Sequence, residues 1–286
     1  MIPVSLLSAY LYCPRKLYLQ KVLKISEPTR ESNLKGTIKH MALQGFSNRE
    51  SELVSSIYPE HIFEDIKKLF ENTLSSQIKN AIIENKKAIN RLNIEPSDVY
   101  NSTFRDLKPH IETRAENVWN FISVKNLYGA DLWENLTPKI KSEYSLQSET
   151  YKLTGVIDQV FVYPEKIVPV ELKTGKPPEE GIWPGHKIQL AAYMLMLEDI
   201  FNFSVETGFI NYISEKEQRQ LQLNPFLKQD VIKTRELVEK LLLSNNIPDH
   251  LKKESKCTRC PLKKSCHDES YVQGLLDGQQ KTLNTT

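Results

Sequence analysis

The sequence predicts an α/β fold, a mixed β-sheet flanked by helices, and three features of the chain carry that expectation. From Lys139 onward the order of elements reads strand, strand, strand, helix, strand, strand, helix. Three consecutive strands followed by a crossover helix and further strands require a sheet with both antiparallel and parallel neighbours. Residues 47 to 136, by contrast, place apolar residues at three- and four-residue spacing, the mark of amphipathic helices. All the cysteines stand at the ends of the chain, Cys13 near the start and Cys257, Cys260 and Cys266 near the finish. With 286 residues, 40% of them hydrophobic, the chain can bury a sizeable core in one elaborated domain or two modest ones.

Taken in order, residues 1–46 read as N-terminal helices that carry Cys13 and the stretch Gly36-Thr-Ile-Lys-His40. Residues 47–136 read as a helical insertion, with periodic segments Phe63 to Ile83 and Ile111 to Val124 and breaks expected near Pro59, Pro96 and Pro109. Its expected place is a cap beside the substrate groove. Residues 137–250 form the α/β core: strands Lys139 to Gln147, Leu153 to Tyr163 and Lys166 to Lys173, with Pro164 and Glu165 turning the last two into a hairpin. Helix Ile188 to Leu197 then covers the sheet with Leu190, Ala191, Met194, Leu195 and Leu197. Strands Glu206 to Ile213 and Gln218 to Leu223 and helix Pro225 to Leu243 complete the core. Residues 251–270 read as a cysteine-bearing loop and 271–286 as a tail whose polar end, Gln279 to Thr286, frays. Trp119, Trp133 and Trp183 read as packing residues.

The chemistry centres on the hairpin, where Gly-Val-Ile-Asp158 is followed by Pro-Val-Glu171-Leu-Lys173. Equal parity puts Glu171 and Lys173 on one face and Leu172 on the other. Hard cations such as Mg2+ and Mn2+ take one or two carboxylates plus waters and substrate phosphate, so Asp158 and Glu171 are metal ligands, with the Leu172 carbonyl as an additional one. Lys173 serves as general base or positions the attacking water. His40, on a helix far upstream, reaches the metal as a ligand or orients its water. Gln189 and Tyr193, four apart on a helix, share a face that lines the groove.

The four cysteines match the ligand count of a tetrahedral zinc or a 4Fe-4S cluster, and a Cys-x-x-Cys pair is too tight for an unstrained disulfide. Met1 to Tyr12 lacks a basic start followed by a long apolar run, so no secretory leader is read and a cytoplasmic, reducing setting disfavours disulfides further. Closed zinc sites usually arrange two short pairs; one cysteine alone and three late lean toward iron-sulfur, with zinc and a His267 ligand as the alternatives. Pro14 and Pro261, each following a ligand, stiffen the loops. With 38 basic against 36 acidic side chains the formal charge is only +2, so any grip on a phosphate backbone must come from local patches: Arg15-Lys16, Lys86-Lys87 with Arg91, and Lys252, Lys253, Lys256, Arg259, Lys263 and Lys264.

In this order the motifs resemble the PD-(D/E)XK nucleases of RecB type and, within them, the iron-sulfur CRISPR-associated exonucleases, the fourth Cas family. Cys13 and Cys257, Cys260 and Cys266 match that family's cluster ligands, and Gly36 with His40 its histidine motif. Asp158 matches its Gly-x-Ile-Asp motif, Glu171 and Lys173 its Glu-x-Lys, and Gln189 and Tyr193 its Gln-x-x-x-Tyr. Typical family members are shorter, and the excess here is the helical insertion. The resemblance implies a RecB-like nuclease core and a Mg2+- or Mn2+-dependent deoxyribonuclease. Its implied task is exonucleolytic trimming of single-stranded prespacer ends before integration, with DNA and the Cas integrase complex as partners and no membrane. A RecB-like repair nuclease, or a catalytically silent iron-sulfur or zinc DNA-binding subunit, are the alternatives.

Overall fold

The computed structural model describes residues 1–251 and 254–283; Lys252 and Lys253 of the basic tip and residues 284–286 of the tail lie outside the described residues. The chain opens with β1 (Ile2–Pro3), α1 (Val4–Tyr12) and α2 (Pro14–Lys21), followed by the long α3 (Glu31–Ser55). Next come α4 (Phe63–Glu84), α5 (Lys86–Arg91), α6 (Pro96–Lys125) and α7 (Gly129–Asn135). The core follows as β2 (Lys139–Ser148), β3 (Leu153–Val162), β4 (Ile167–Lys173), α8 (Pro184–Phe201), β5 (Thr207–Tyr212), β6 (Glu217–Gln222) and α9 (Pro225–Leu243). It closes with α10 (Glu254–Thr258), α11 (Lys263–His267) and α12 (Glu269–Leu283).

β2, β3 and β4 form an antiparallel meander, the β3–β4 turn closing through Tyr163 N to Lys166 O at 2.9 Å. α8 then crosses over, so that β5 lies parallel to β4 and β6 returns antiparallel. The sheet is therefore mixed, as the order of elements predicts. β1, which the sequence reading missed, is only two residues long and runs parallel to the start of β3, with Ile2 opposite Leu153.

Two apolar cores lie on the sheet. One gathers α1, α2, α8 and α9 around Leu153, Ile157, Ile210 and Leu221. α8 is buried continuously from Leu190 to Leu197 because it is enclosed by the sheet and by α1 and α9. The other core packs α3, α4, α6 and α7 against Val170 and Leu172 of β4. Each fully buried side chain in it, such as Phe70, Leu107 or Val118, is worth about 1.5–3 kcal/mol relative to exposure.

Three expectations are corrected here. Pro109 does not break its helix but lies inside α6: the ring removes one intrahelical donor, yet Leu107, Ile111, Ala115 and Val118 on either side of it are buried against the second core, and packing outweighs local propensity. Residues 269–283 are helical, so the chain end is α12, which buries Val272, rather than a tail beginning at 271. Trp183 is 46% exposed and precedes α8, its indole donating to Lys176 O at 2.9 Å, whereas Trp119 and Trp133 pack on the second core as expected.

The helices are pinned to the sheet by a buried ion pair. Glu50 of α3, 1% exposed, accepts from Arg114 Nε of α6, and Arg114 Nη2 donates to Pro138 O at 3.0 Å, where the chain enters β2. Burial raises the Glu50 carboxyl pKa, and Arg114 opposes that rise. Breaking a buried pair strands the remaining charge, so Arg114→Met is expected to cost about 3–5 kcal/mol in urea unfolding, while Glu50→Leu with Arg114→Met should recover most of it.

Candidate active site

The β3–β4 ladder runs from Val162↔Ile167 to Gln159↔Val170 and stops there. Asp158 and Glu171 are the next residues in that register and do not pair with each other, while Glu171 stays paired with Ile210 of β5. On the opposite edge of β3 the ladder to β2 also skips one step: Ser142 pairs with Gln159 and Tyr144 with Ile157, leaving Glu143 opposite Asp158 without a bridge. Glu143 has a left-handed φ of 50°, a conformation that costs a β-carbon-bearing residue about 1–2 kcal/mol. The sheet thus parts around Asp158 on both sides. Leu172 N, no longer facing a β3 carbonyl, donates instead to Asp158 Oδ2 at 2.7 Å.

His40 of α3 arrives from above this opening. Its Nδ1 lies 3.3 Å from Asp158 Oδ1 and 3.6 Å from Glu143 Oε1. The neighbouring Glu143 carboxylate, with help from the Asp158 charge, raises the His40 pKa against the effect of burial. These three side chains offer ligand atoms within 4.8 Å of one another. They face an open cleft of about 550 Å³ whose walls are α3, β2, β3 and Thr174. None of the cleft residues comes from residues 47–136, so the helical insertion builds the core under the sheet and not a wall of this cleft.

Glu171 is 2% exposed and is held from the side. Its Oε1 accepts from Lys173 Nζ at 2.7 Å and from Gln189 Nε2 at 2.6 Å, while Lys173 Nζ also donates to Gln189 Oε1 at 3.1 Å. The alternation of β4 and the position of Gln189 on α8 make this triangle possible. Gln189 Nε2 reaches Tyr193 Oη at 3.5 Å, one turn on. The other carboxylate oxygen, Glu171 Oε2, is buried without a hydrogen-bond partner. Burial first, then the Asp158 charge, pushes the Glu171 carboxyl up to about 8, and burial raises Asp158 as well. A buried carboxylate with an orphaned oxygen, repelled by a partly buried one whose side chain is 13% exposed at the cleft, fits a divalent cation, which would supply the missing positive charge. Leu172 itself sends its side chain into the second core, as parity requires.

Two residues near this site were not read from the sequence. Glu143 is one; only the β2–β3 register reveals it. The other is His186, on α8 one turn before Gln189, whose Nδ1 is 3.1 Å from Tyr212 Oη and whose pKa is held down to about 4 by burial and then by the Lys173 charge. A neutral imidazole there backs the lysine without competing with it for a carboxylate.

The glycine of Gly-Val-Ile-Asp has a packing cause. A β-carbon on Gly155 would fall 2.7 Å from Tyr193 Cε1 and 3.3 Å from Val4. Gly155→Ala is therefore expected to displace the Tyr193 ring and cost about 1–3 kcal/mol, measured as a lowered denaturation midpoint, whereas Gly175→Ala, with open space around it, should not.

At the other end of the molecule Cys13, Cys257, Cys260 and Cys266 are all free thiols lining one small cavity together with Leu19 and Leu262. Cys13 caps α2 by accepting from Lys16 N at 3.3 Å. Burial, followed by the neighbouring Cys266 and Cys260, raises its thiol pKa. Arg15 Nε donates to Cys266 Sγ at 3.3 Å and its guanidinium also reaches Cys266 O and Pro248 O. A set of mutually repelling sulfurs gathered around a cavity fits a multivalent metal centre. His250, Cys266 and His267 also converge, with the two imidazoles stacked at 4.6 Å. Arg15 is buried in this arrangement and Lys16 pairs with Glu27 at 2.6 Å, so the Arg15-Lys16 patch is not a phosphate grip. Lys86, Lys87 and Arg91 remain exposed.

A mixed sheet that parts at its centre to bring out two carboxylates beside a lysine is the architecture of metal-dependent nucleases. The chain belongs to the PD-(D/E)XK nuclease superfamily, which matches residues 2–267. It is 32% identical over 124 residues to a CRISPR-associated exonuclease Cas4 of Francisella tularensis subsp. novicida (strain U112), covering 43% of this chain and 61% of that one. It is 26% identical over 152 residues to a CRISPR-associated exonuclease Cas4/endonuclease Cas1 fusion of Leptospira interrogans serogroup Icterohaemorrhagiae serovar Lai (strain 56601), covering 49% and 28%. A CRISPR-associated exonuclease Cas4 of Rhodospirillum rubrum is 27% identical over 124 residues, covering 43% and 37%. The matches thus span less than two thirds of these relatives' own lengths. Among the described residues no helix is long and apolar enough to cross a membrane.

Proposed function

We propose that the chain is a Mg2+- or Mn2+-dependent deoxyribonuclease that trims single-stranded DNA ends of prespacers before their integration. The observation that carries this reading is the pairing of buried Glu171 with partly buried Asp158, with Lys173 Nζ 2.7 Å from Glu171 and His40 3.3 Å from Asp158. His40, Asp158, Glu171 and the Leu172 carbonyl would hold the cation, which when bound would polarise the scissile phosphate and lower the pKa of an attacking water. Lys173, anchored by Glu171 and Gln189, offers an ammonium that positions that water or offsets charge growing on the phosphate. Gln189 fixes the lysine and the carboxylate at once, and Tyr193, whose hydroxyl pKa is raised by burial, stays a neutral donor toward the strand.

The four cysteines hold a 4Fe-4S cluster in this reading, joining the start of α2 to the C-terminal helices. The partners are DNA and the Cas integrase complex; the Cas4/Cas1 fusion among the relatives supports the second. The test is cleavage of end-labelled single- and double-stranded DNA with Mn2+, with and without chelator, together with co-purification with the integrase. Metal-dependent shortening of single-stranded ends is expected; no cleavage under any of these conditions would end the proposal.

A further inference from the structure

We propose that Glu143 is an additional ligand of the divalent cation, closing the cleft side of the site. This rests on the metal-site reading above and deepens it. The β2–β3 register alone sets Glu143 directly across from Asp158, on the same face of the sheet. Its carboxylate oxygen joins His40 Nδ1 and an Asp158 oxygen in a group whose members are all within 4.8 Å of one another. That is the spacing at which three side chains can share one cation, since two ligands each about 2.1 Å from a metal stand about 3–4 Å apart.

A second, independent observation points to the same occupant. Glu171 Oε2 is fully buried, unpartnered and close enough to feel the charges of Asp158 and His40. Glu171 is turned toward Lys173 and Gln189, outside the three-residue group. Glu171 therefore meets a cation from the buried side, and on the cleft side Glu143 is the acidic side chain that joins Asp158 and His40. Glu143 is 30% exposed, lines the cleft, and among the described residues its ion pair is with His40. Its left-handed backbone and the missing bridge to Asp158 leave no sheet-stabilising reason for a glutamate at this position.

The set also has a chemical bias. One imidazole nitrogen among carboxylates suits Mn2+ better than Mg2+, which prefers oxygen and water. Removing Glu143 lowers the affinity for either ion and leaves His40 and Asp158 as the remaining cleft-side ligands.

The experiment is Mn2+ binding to the full chain by isothermal titration and electron paramagnetic resonance, comparing wild type, Glu143→Gln, Glu143→Ala and Asp158→Asn. Glu143→Gln and Glu143→Ala are expected to weaken Mn2+ binding by about 10- to 100-fold, to change the Mn2+ resonance line shape and to reduce the rise in melting temperature produced by saturating Mn2+. Asp158→Asn should lose binding almost entirely. If both Glu143 variants bind Mn2+ with wild-type affinity and line shape while Asp158→Asn does not bind, the Glu143 assignment is wrong and the metal-site reading stands. If Asp158→Asn also binds like wild type, the metal-site reading itself fails.

Discussion

Glu171→Ala is expected to reduce Mn2+-dependent DNA cleavage by about three powers of ten, because a cation ligand contributes several kcal/mol of charge stabilisation and each 1.4 kcal/mol is about tenfold in rate. Lys173→Ala should lose about 10²–10³, the usual cost of deleting one preorganised donor. The two variants part in stability. Glu171→Ala removes a carboxylate that burial and Asp158 both disfavour, and Lys173 keeps its bond to Gln189 at 3.1 Å, so the metal-free fold holds its melting temperature. Lys173→Ala leaves Glu171 buried with only Gln189, so its metal-free fold is weaker above neutral pH. Cleavage within a few-fold of wild type in either variant defeats the mechanism.

The same carboxylate sets a pH dependence. Its folded pKa, pushed up to about 8, lies above the unfolded value, so the folded metal-free chain binds the extra proton and its stability falls as pH rises toward 8. A cation must displace that proton. Mn2+ affinity therefore climbs with pH until Glu171 is ionised and levels off above about 8, and Glu171→Gln should flatten both slopes in calorimetry.

Part of this geometry is legible from local sequence alone. Strand alternation puts Glu171 and Lys173 on one face, and helical spacing stacks Gln189 over Tyr193, because each depends only on the period of one element. The order of strands and helices likewise dictates a mixed sheet with one crossover. Glu143 and His186 were not legible, since their proximity arises from the β2–β3 register and from the seating of α8 over β5, which no periodicity encodes. Pro109 misleads for the opposite reason: its local rule is correct, and the buried face of α6 overrides it. Arg15 reads as a surface cation beside Lys16, yet the closing of the chain ends buries it against Cys266.

Cys13→Ser is expected to be the most destabilising single change outside the sheet. The proposed cluster ties the start of α2 to the helices after β6 and α9, closing nearly the whole chain into one loop, and a cross-link of that span removes about 5 kcal/mol of unfolded-state freedom. At about 2–4 °C per kcal/mol for a chain of this class, the melting temperature should drop by roughly 10–20 °C. Loss of visible absorption and of iron should accompany the drop in Cys13→Ser and in Cys257→Ser, whereas His267→Ala should keep both; stoichiometric zinc lost from His267→Ala would instead assign a zinc centre. The effect should reach the cleft by a traceable route. α1 ends at the cysteine, and its Val4 packs behind Gly155 against the same space as Tyr193. Loosening α1 frees the Tyr193 ring and, through Gln189, the Lys173 that it anchors, so Cys13→Ser should lower the cleavage rate even at temperatures where the chain remains folded. Unchanged iron content and melting temperature in Cys13→Ser would show that this thiol is not a ligand.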